Sequence, residues 1–170
     1  YTGNTTINAG TLIVNGSLAS GSAVIVTNTG TLGGTGSIGG SVMVTNGSTL
    51  SPGTSIGTLT VNNTLTLSAG STTRIELDKA ASPNCDKVVG ITTLTKGGTL
   101  QVVNNGAALA AGDSFTVFTA TTHNGAFNSI SPANPNNDTA LVWDTNALAS
   151  GVLAVHRPPT ASDLVMSVQN

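Results

Sequence analysis

Charged side chains are so scarce in this chain that the few lying close together are the first candidates for chemistry. Arg74, Glu76 and Asp78 alternate with Ile75 and Leu77. Side chains two apart on a strand share a face, so all three charges are expected on one side of one strand. Two carboxylates placed that way can serve as general acid and base, or hold a cation. Asp86 adds a further carboxylate across the loop Lys79 to Cys85, which sketches an Asp78/Asp86 calcium cluster. Neither the D-x-D-x-D-G loop nor the G-G-x-G-x-D nonapeptide accompanies it. The alternation by itself describes a solvated outer face with Ile75 and Leu77 turned inward.

The remaining reactive side chains are isolated. His123 precedes Asn124-Gly125 and reads as a turn residue, and His156 closes an apolar run. Nucleophilic catalysis needs a Ser or Cys arranged with a His and a carboxylate around a cleft, and no such triad is expected. Cys85 sits between Asn84 and Asp86, where the acidic neighbour disfavours the thiolate, so a passive loop cysteine is expected. As the only thiol, it can form neither an internal disulfide nor a cysteine metal site. No residue is assigned a catalytic, cofactor-binding or metal-binding role.

What must position these residues is legible in the composition. Charged residues make up 7% of the 170 positions and Lys plus Arg number five, too few to neutralise a phosphate backbone, so nucleic acid is excluded as a partner. A formal net charge of -2 does not hold a chain on acidic lipid, and no run approaches the roughly 20 apolar residues of a membrane helix. Aromatics supply only 3%, so the core must be built from Ala, Val, Leu and Ile. Thin, evenly spread aliphatic packing suits a layered repeat better than a compact sandwich.

The repeat is visible. Gly-Thr-Leu recurs at Gly10, Gly30, Gly57 and Gly98, with the variant Gly47-Ser48-Thr49-Leu50; the first spacings, Gly10 to Gly30 and Gly30 to Gly47, are close to one solenoid turn. Between them lie Leu12-Ile13-Val14, Val24-Ile25-Val26 and Val42-Met43-Val44, each closed by Asn-Gly or Thr-Asn. The stretch Leu50 to Asp78 reads as three strands, Gly57 to Val61, Thr64 to Leu67 and Thr73 to Leu77, split by Asn62-Asn63 and Ala69-Gly70-Ser71. Leu, Val and Ile are expected in inward ladders, Thr and Ser outside, and Gly and Asn at corners that require positive φ. If Pro52 lies at such a corner, its substitution should matter little. Asn4, Asn15, Asn46, Asn62 and Asn137 stand in N-x-S/T sequons, a chance outcome in a chain so rich in these residues, and Asn-Gly at 15, 46, 105 and 124 reads as turn chemistry. A pattern running end to end would give roughly seven or eight turns.

Tyr1-Thr2-Gly3-Asn4-Thr5-Thr6-Ile7-Asn8-Ala9-Gly10-Thr11-Leu12 resembles the autotransporter-associated β-strand repeat, also called the passenger-associated transport repeat. Leu50-Ser51-Pro52-Gly53-Thr54-Ser55-Ile56-Gly57-Thr58-Leu59-Thr60-Val61 is similar to the L-x-P-G-x-S-x-G-T-L-x-V element that follows such repeats in large bacterial surface proteins. The later order Asp86 to Val89, Gly98 to Leu100, Ala111 to Phe115 and Gly125 to Phe127 matches the way these regions close. The resemblance covers residues 1 to 156 and implies a right-handed β-helix of an exported protein. The aromatic-girdled barrel that ends an autotransporter has no counterpart here.

The expected fold is therefore all-β: a right-handed parallel β-helix over 1–156, with the aromatics of Phe115 to Phe118 and Ala140 to Trp143 forming a C-terminal cap and Val152 to Val155 a last strand. Ser131 to Asn137 reads as a surface loop. A Pro-rich linker is expected at 157–161, and 162–170 resembles the opening of an Ig-like or cadherin-like module. Tyr1 falls inside the pattern with no signal peptide before it, so the chain is expected to be a piece of a longer extracellular or cell-surface bacterial protein. The expected role is a non-catalytic stalk or passenger segment whose neighbours are domains of the same polypeptide. An adhesin or carbohydrate-binding module, with a glycan or a cell-surface protein as partner, would show exposed aromatic or acidic clusters. A fragment of a β-helical polysaccharide-degrading enzyme would show Asp, Arg or Lys one turn apart.

Overall fold

A computed structural model of the chain describes residues 1–158. The expected linker 157–161 is described only at Arg157 and Pro158, which carry no regular structure, and the expected module 162–170 lies outside the described residues. The chain winds as a parallel β-helix with three faces per turn, closed late by a cap. The first turn contains β1 (Thr5–Ile7), β2 (Thr11–Ile13) and β3 (Ser17–Leu18); the second β4 (Val24–Val26), β5 (Thr31–Gly34) and β6 (Ser37–Ile38); the third β7 (Val42–Val44), β8 (Thr49–Pro52) and β9 (Thr58–Val61). Then come β10 (Leu65–Leu67), β11 (Thr72–Leu77), β12 (Lys87–Lys96), β13 (Thr99–Asn104), β14 (Ser114–Thr116), β15 (Phe118–Gly125) and β16 (Ser129–Ser131).

Strands three apart in sequence stack in parallel. The first face is β1-β4-β7-β10 continued by the later part of β12, and the second is β2-β5-β8-β11-β13-β16. The third is β3-β6-β9 continued by the opening of β12. β12 is long because it turns the corner from third face to first without breaking; Gly90, at φ 78, makes that bend, and the register shifts between Val88 and Ile91. β15 follows β12 through both faces.

The register explains the sequence repeat. On the second face Thr11, Thr31, Thr49, Thr72, Thr99 and Ser129 stack outward, while Leu12, Leu32, Leu50, Thr73, Leu100 and Ile130 stack inward. The variant Gly47-Ser48-Thr49-Leu50 is thus the true third member of the Gly-Thr-Leu series. Gly57-Thr58-Leu59, which the sequence places in that series, belongs to β9 on the third face. Successive turns, counted along Thr5, Val24, Val42, Leu65, Leu94 and His123, lengthen from under 20 to nearly 30 residues. That lengthening is why six rungs form where seven or eight were expected.

Period-two alternation also sorts the apolar triplets. Val24, Val26, Val42 and Val44 are buried, whereas Ile13, Ile25 and Met43 point outward and are exposed. Pro52 is no corner residue; it is buried at the end of β8 beside Gly34. Gly34 itself, at φ 110, lets the chain pass so close to Val14 that a side chain would strike its carbonyl.

Four of the five sequon asparagines make bonds between turns. The Asn4 carboxamide accepts from Ala23 N (3.2 Å), Asn15 from Thr35 N (3.2 Å) and Asn46 from Gly70 N (3.1 Å), and Asn62 donates to Ser37 (3.2 Å). Each bond crosses from one turn to the next at a corner.

The cap is antiparallel. β14 pairs with β18 (Val152–His156), which pairs with β17 (Val142–Trp143), and α1 (Thr145–Ala149) lies between β17 and β18. Phe115, Phe118 and Trp143 are buried, as a plug requires, and the Trp143 indole donates to the Pro132 carbonyl at 2.9 Å. The expected surface loop holds a short 3-10 turn, Pro135–Asn137, with Pro135 buried. Among the described residues no helix is long and apolar enough to cross a membrane.

Two substitutions probe the inner ladder from opposite sides. Leu59 is fully buried, so Leu59→Asp places an unpaired charge in the stack and should cost on the order of 4 kcal/mol or more, abolishing cooperative unfolding by circular dichroism. Thr73 stands in the leucine ladder with a buried hydroxyl that has no partner among the described residues. Thr73→Val should stabilise the fold by about 1–2 kcal/mol in urea titration.

Candidate functional site

The fold separates the carboxylates that the sequence groups together. Along β11, Ile75 and Leu77 are fully buried and Arg74 and Glu76 point out, paired at 2.7 Å. A surface ion pair of this kind contributes about 0–1 kcal/mol. Asp78 stands just past the strand end, where its carboxylate accepts from Ala80 N (3.0 Å) and shapes the turn. Asp86 points the other way, into the wall, and is fully buried.

The Asp86 carboxylate is a clamp. One oxygen accepts from Gly57 N and the other from Glu76 N, both at 2.8 Å, while Asp86 N donates to Glu76 O at 2.9 Å. It thereby fastens the start of β9, the middle of β11 and the start of β12 to one another. Burial raises its pKa to about 6, against the pull of those two backbone N–H groups. Among the described residues, no three of His, Cys, Asp and Glu gather as metal ligands would.

Cys85 is a core residue instead of the expected loop cysteine. It is fully buried, bridges to Leu77, and its Sγ lies 3.5 Å from Thr116 O. Burial raises its thiol to about 11, against the lowering pull of the Lys87 charge and with a smaller upward push from the Asp86 carboxylate. A thiol so held is inert. His156 does end a strand, β18, and its Nε2 lies 3.2 Å from the Asp144 carboxylate, which also caps α1 by accepting from Asn146 N and Ala147 N. Gly53-Thr54-Ser55-Ile56-Gly57 spells G-x-S-x-G, hidden in the sequence by its overlap with the repeat element. Here it joins two strands, whereas a nucleophile elbow joins a strand to a helix. The shallow groove of about 170 Å³ beside Ser55 contains Arg74 and Glu76 and no histidine.

Among the described residues, the place where unlike chemistry converges is the capped end. The inward ladder Ile7, Val26, Val44 and Leu67 is aliphatic. Continuing the register that sets Leu65 beside Leu94 and Thr66 beside Thr95, the next inward position is Lys96. The neighbouring ladder Val24, Val42, Leu65 and Leu94 ends in His123. His123 is therefore a strand residue of β15, and the expected turn is displaced to Gly125, at φ 64.

Lys96 is 5% exposed. Its ammonium donates to Ala149 O of α1 at 3.0 Å and lies 3.4 Å from His123 Nδ1. No carboxylate among the described residues pairs with it. Burial lowers its basicity, and burial together with the nearby Lys96 charge lowers that of His123, which leaves Nδ1 free to accept. Lys96 stands at the floor of the capped end, where a cleft of about 390 Å³ separates the last rung from α1. Lys96 forms part of that cleft's wall together with Phe127, Ile130, Trp143 and Leu148. Motif reading does not single out Lys96, although Ile91-Thr92-Thr93-Leu94-Thr95-Lys96 alternates and so puts Lys96 on the buried face of Leu94.

Asp86 gives a signed pH test. Its acidity is weakened in the folded chain relative to its ordinary value of 3.8, so its contribution is fully present below about pH 4 and is lost as pH rises through about 6. Urea stability should fall across that window by up to roughly 3 kcal/mol relative to Asp86→Asn, which lacks the titration. No protein-family model matches the chain, and no curated protein matches it either; its chemistry rests on the geometry of its own residues.

Proposed function

We propose that this segment is a rigid, non-catalytic stalk or passenger portion of a secreted or cell-surface bacterial protein of the kind that carries the autotransporter-associated repeat. The observation that carries this reading is the unbroken second-face register from Thr11 to Ser129, six rungs in one alignment. At about 4.8 Å per rung such a stack spans roughly 24 Å, and its backbone groups are satisfied along its whole length. Function of this kind needs length and stiffness, and the wettable Thr and Ser ladder outside supplies solubility without charge. Export suits the fold as well, because each turn buries its core only against its neighbours and can form stepwise.

A spacer tolerates a change of length, whereas a binding or catalytic surface does not. Excising residues 24–41 removes one turn and brings Val42 beside Thr5, since both Thr5 and Val42 already pair with Val24. The shortened protein should remain folded and shorten by about 4.8 Å in small-angle scattering, and a duplication of the same residues should lengthen it equally. Both variants should still reach the surface of the producing cell, read by protease shaving. A glycan array with and without Ca²⁺ should give no saturable binding. Collapse of both variants, or specific glycan capture, would overturn the stalk in favour of an adhesive module.

A further inference from the structure

We propose that the cleft at the capped end is a binding site for a small monocarboxylate with an apolar body, its carboxylate held by Lys96 and its body by the aromatic and aliphatic wall. The proposal does not depend on the stalk reading.

Lys96 occupies a position that, in every earlier rung whose pairing is described, holds Ile, Val or Leu. A leucine there would continue the ladder. An ammonium there is desolvated without a counter-charge among the described residues, and its two neighbours, a carbonyl and a neutral ring nitrogen, satisfy hydrogen bonds without neutralising it. Thr73 and His123 also interrupt the inward ladders, but among the described residues only Lys96 brings a cation into them, and such a departure marks a site with a purpose other than stability. The compensating charge has room to arrive from outside, because the third N–H of the ammonium has no partner among the described residues and Lys96 borders an open cleft.

The walls choose the rest of the ligand. Phe127, Ile130, Trp143 and Leu148 present apolar surface, which rejects a sugar or an inorganic anion and accepts an acyl or aryl body. A volume of about 390 Å³ falls in the range of small-molecule pockets. A single cation calls for a single negative charge, and a carboxylate places two acceptor oxygens where Lys96 can reach one of them.

Trp143 is the only tryptophan of the chain and forms part of the wall, so its fluorescence reports occupancy directly. The probe is 4-phenylbutyrate, with 4-phenylbutan-1-ol as the uncharged twin and acetate as the headgroup alone, titrated into the whole chain. The acid should bind at least about tenfold more tightly than the alcohol, and acetate should not register. Lys96→Met should bring acid and alcohol to the same affinity while leaving the thermal midpoint unchanged or higher, an increase that loss of a purely structural hydrogen bond would not give. Ala133→Phe, at an exposed position on the cleft rim, should weaken acid and alcohol together and keeps the test decisive if Lys96→Met does not fold. Equal affinity of acid and alcohol for the unaltered protein, no fluorescence change up to about 10 mM acid, or acid binding indifferent to Ala133→Phe would each overturn the site.

Discussion

Every turn of this chain leaves its strand N–H and C=O groups directed along the solenoid, where only another turn in the same register can satisfy them. That single constraint decides most of the architecture. Parallel pairing forces each inward position to stack on its equivalents, so Val24 meets Val42 and Leu32 meets Leu50. Each outward position stacks as well, which is why threonine, with its high β-propensity and wettable hydroxyl, recurs down the second face. Corners cannot join the ladder, and there asparagine side chains carry the hydrogen bonding across. A core without large aromatics is sufficient because each rung contributes only a few aliphatic side chains and borrows its burial from two neighbours.

The same constraint explains where the structure departs from repetition. Turns lengthen after β10, and the added residues have to be fastened by something other than the ladder. Asp86 does so by accepting the backbone N–H of Gly57 and that of Glu76, at the cost of burying a carboxylate. At the far end the ladder needs a terminus, and antiparallel strands with α1 provide one. The terminus is also where polar side chains enter the inner stack. Lys96 and His123 stand where aliphatics stood in earlier rungs, and the cleft between Lys96 and the helix is the only described part of the chain in which charge, aromatic surface and open volume coincide.

Much of this can be read from the residues, because a parallel solenoid writes its period directly into the chain. The three strands inside Leu50 to Asp78, the inward Ile75 and Leu77, the late aromatic cap and the closing strand at Val152 all come from alternation and turn residues. Gly57-Thr58-Leu59 misleads because identical tripeptides can serve different faces; only pairing partners, which no single sequence displays, tell them apart. Asp86 and Cys85 read as loop residues because the loop's length hides that the chain re-enters the wall at Cys85. Lys96 is legible in principle, as the alternation around Leu94 places it inside, but a terminal lysine in a short strand is ordinarily taken for a solvated end.

The central claim is that stacked rungs, satisfied turn to turn, hold the chain together. Native-state hydrogen exchange at single-amide resolution tests it most directly. Amides of the middle rungs, Val44, Leu50 and Leu59 among them, should share the highest protection and exchange as one cooperative unit, with protection falling toward the first turn, whose outer edge has no partner among the described residues. Protection that is uniform along the chain, or highest in β1 to β3, would contradict the stacked-rung account.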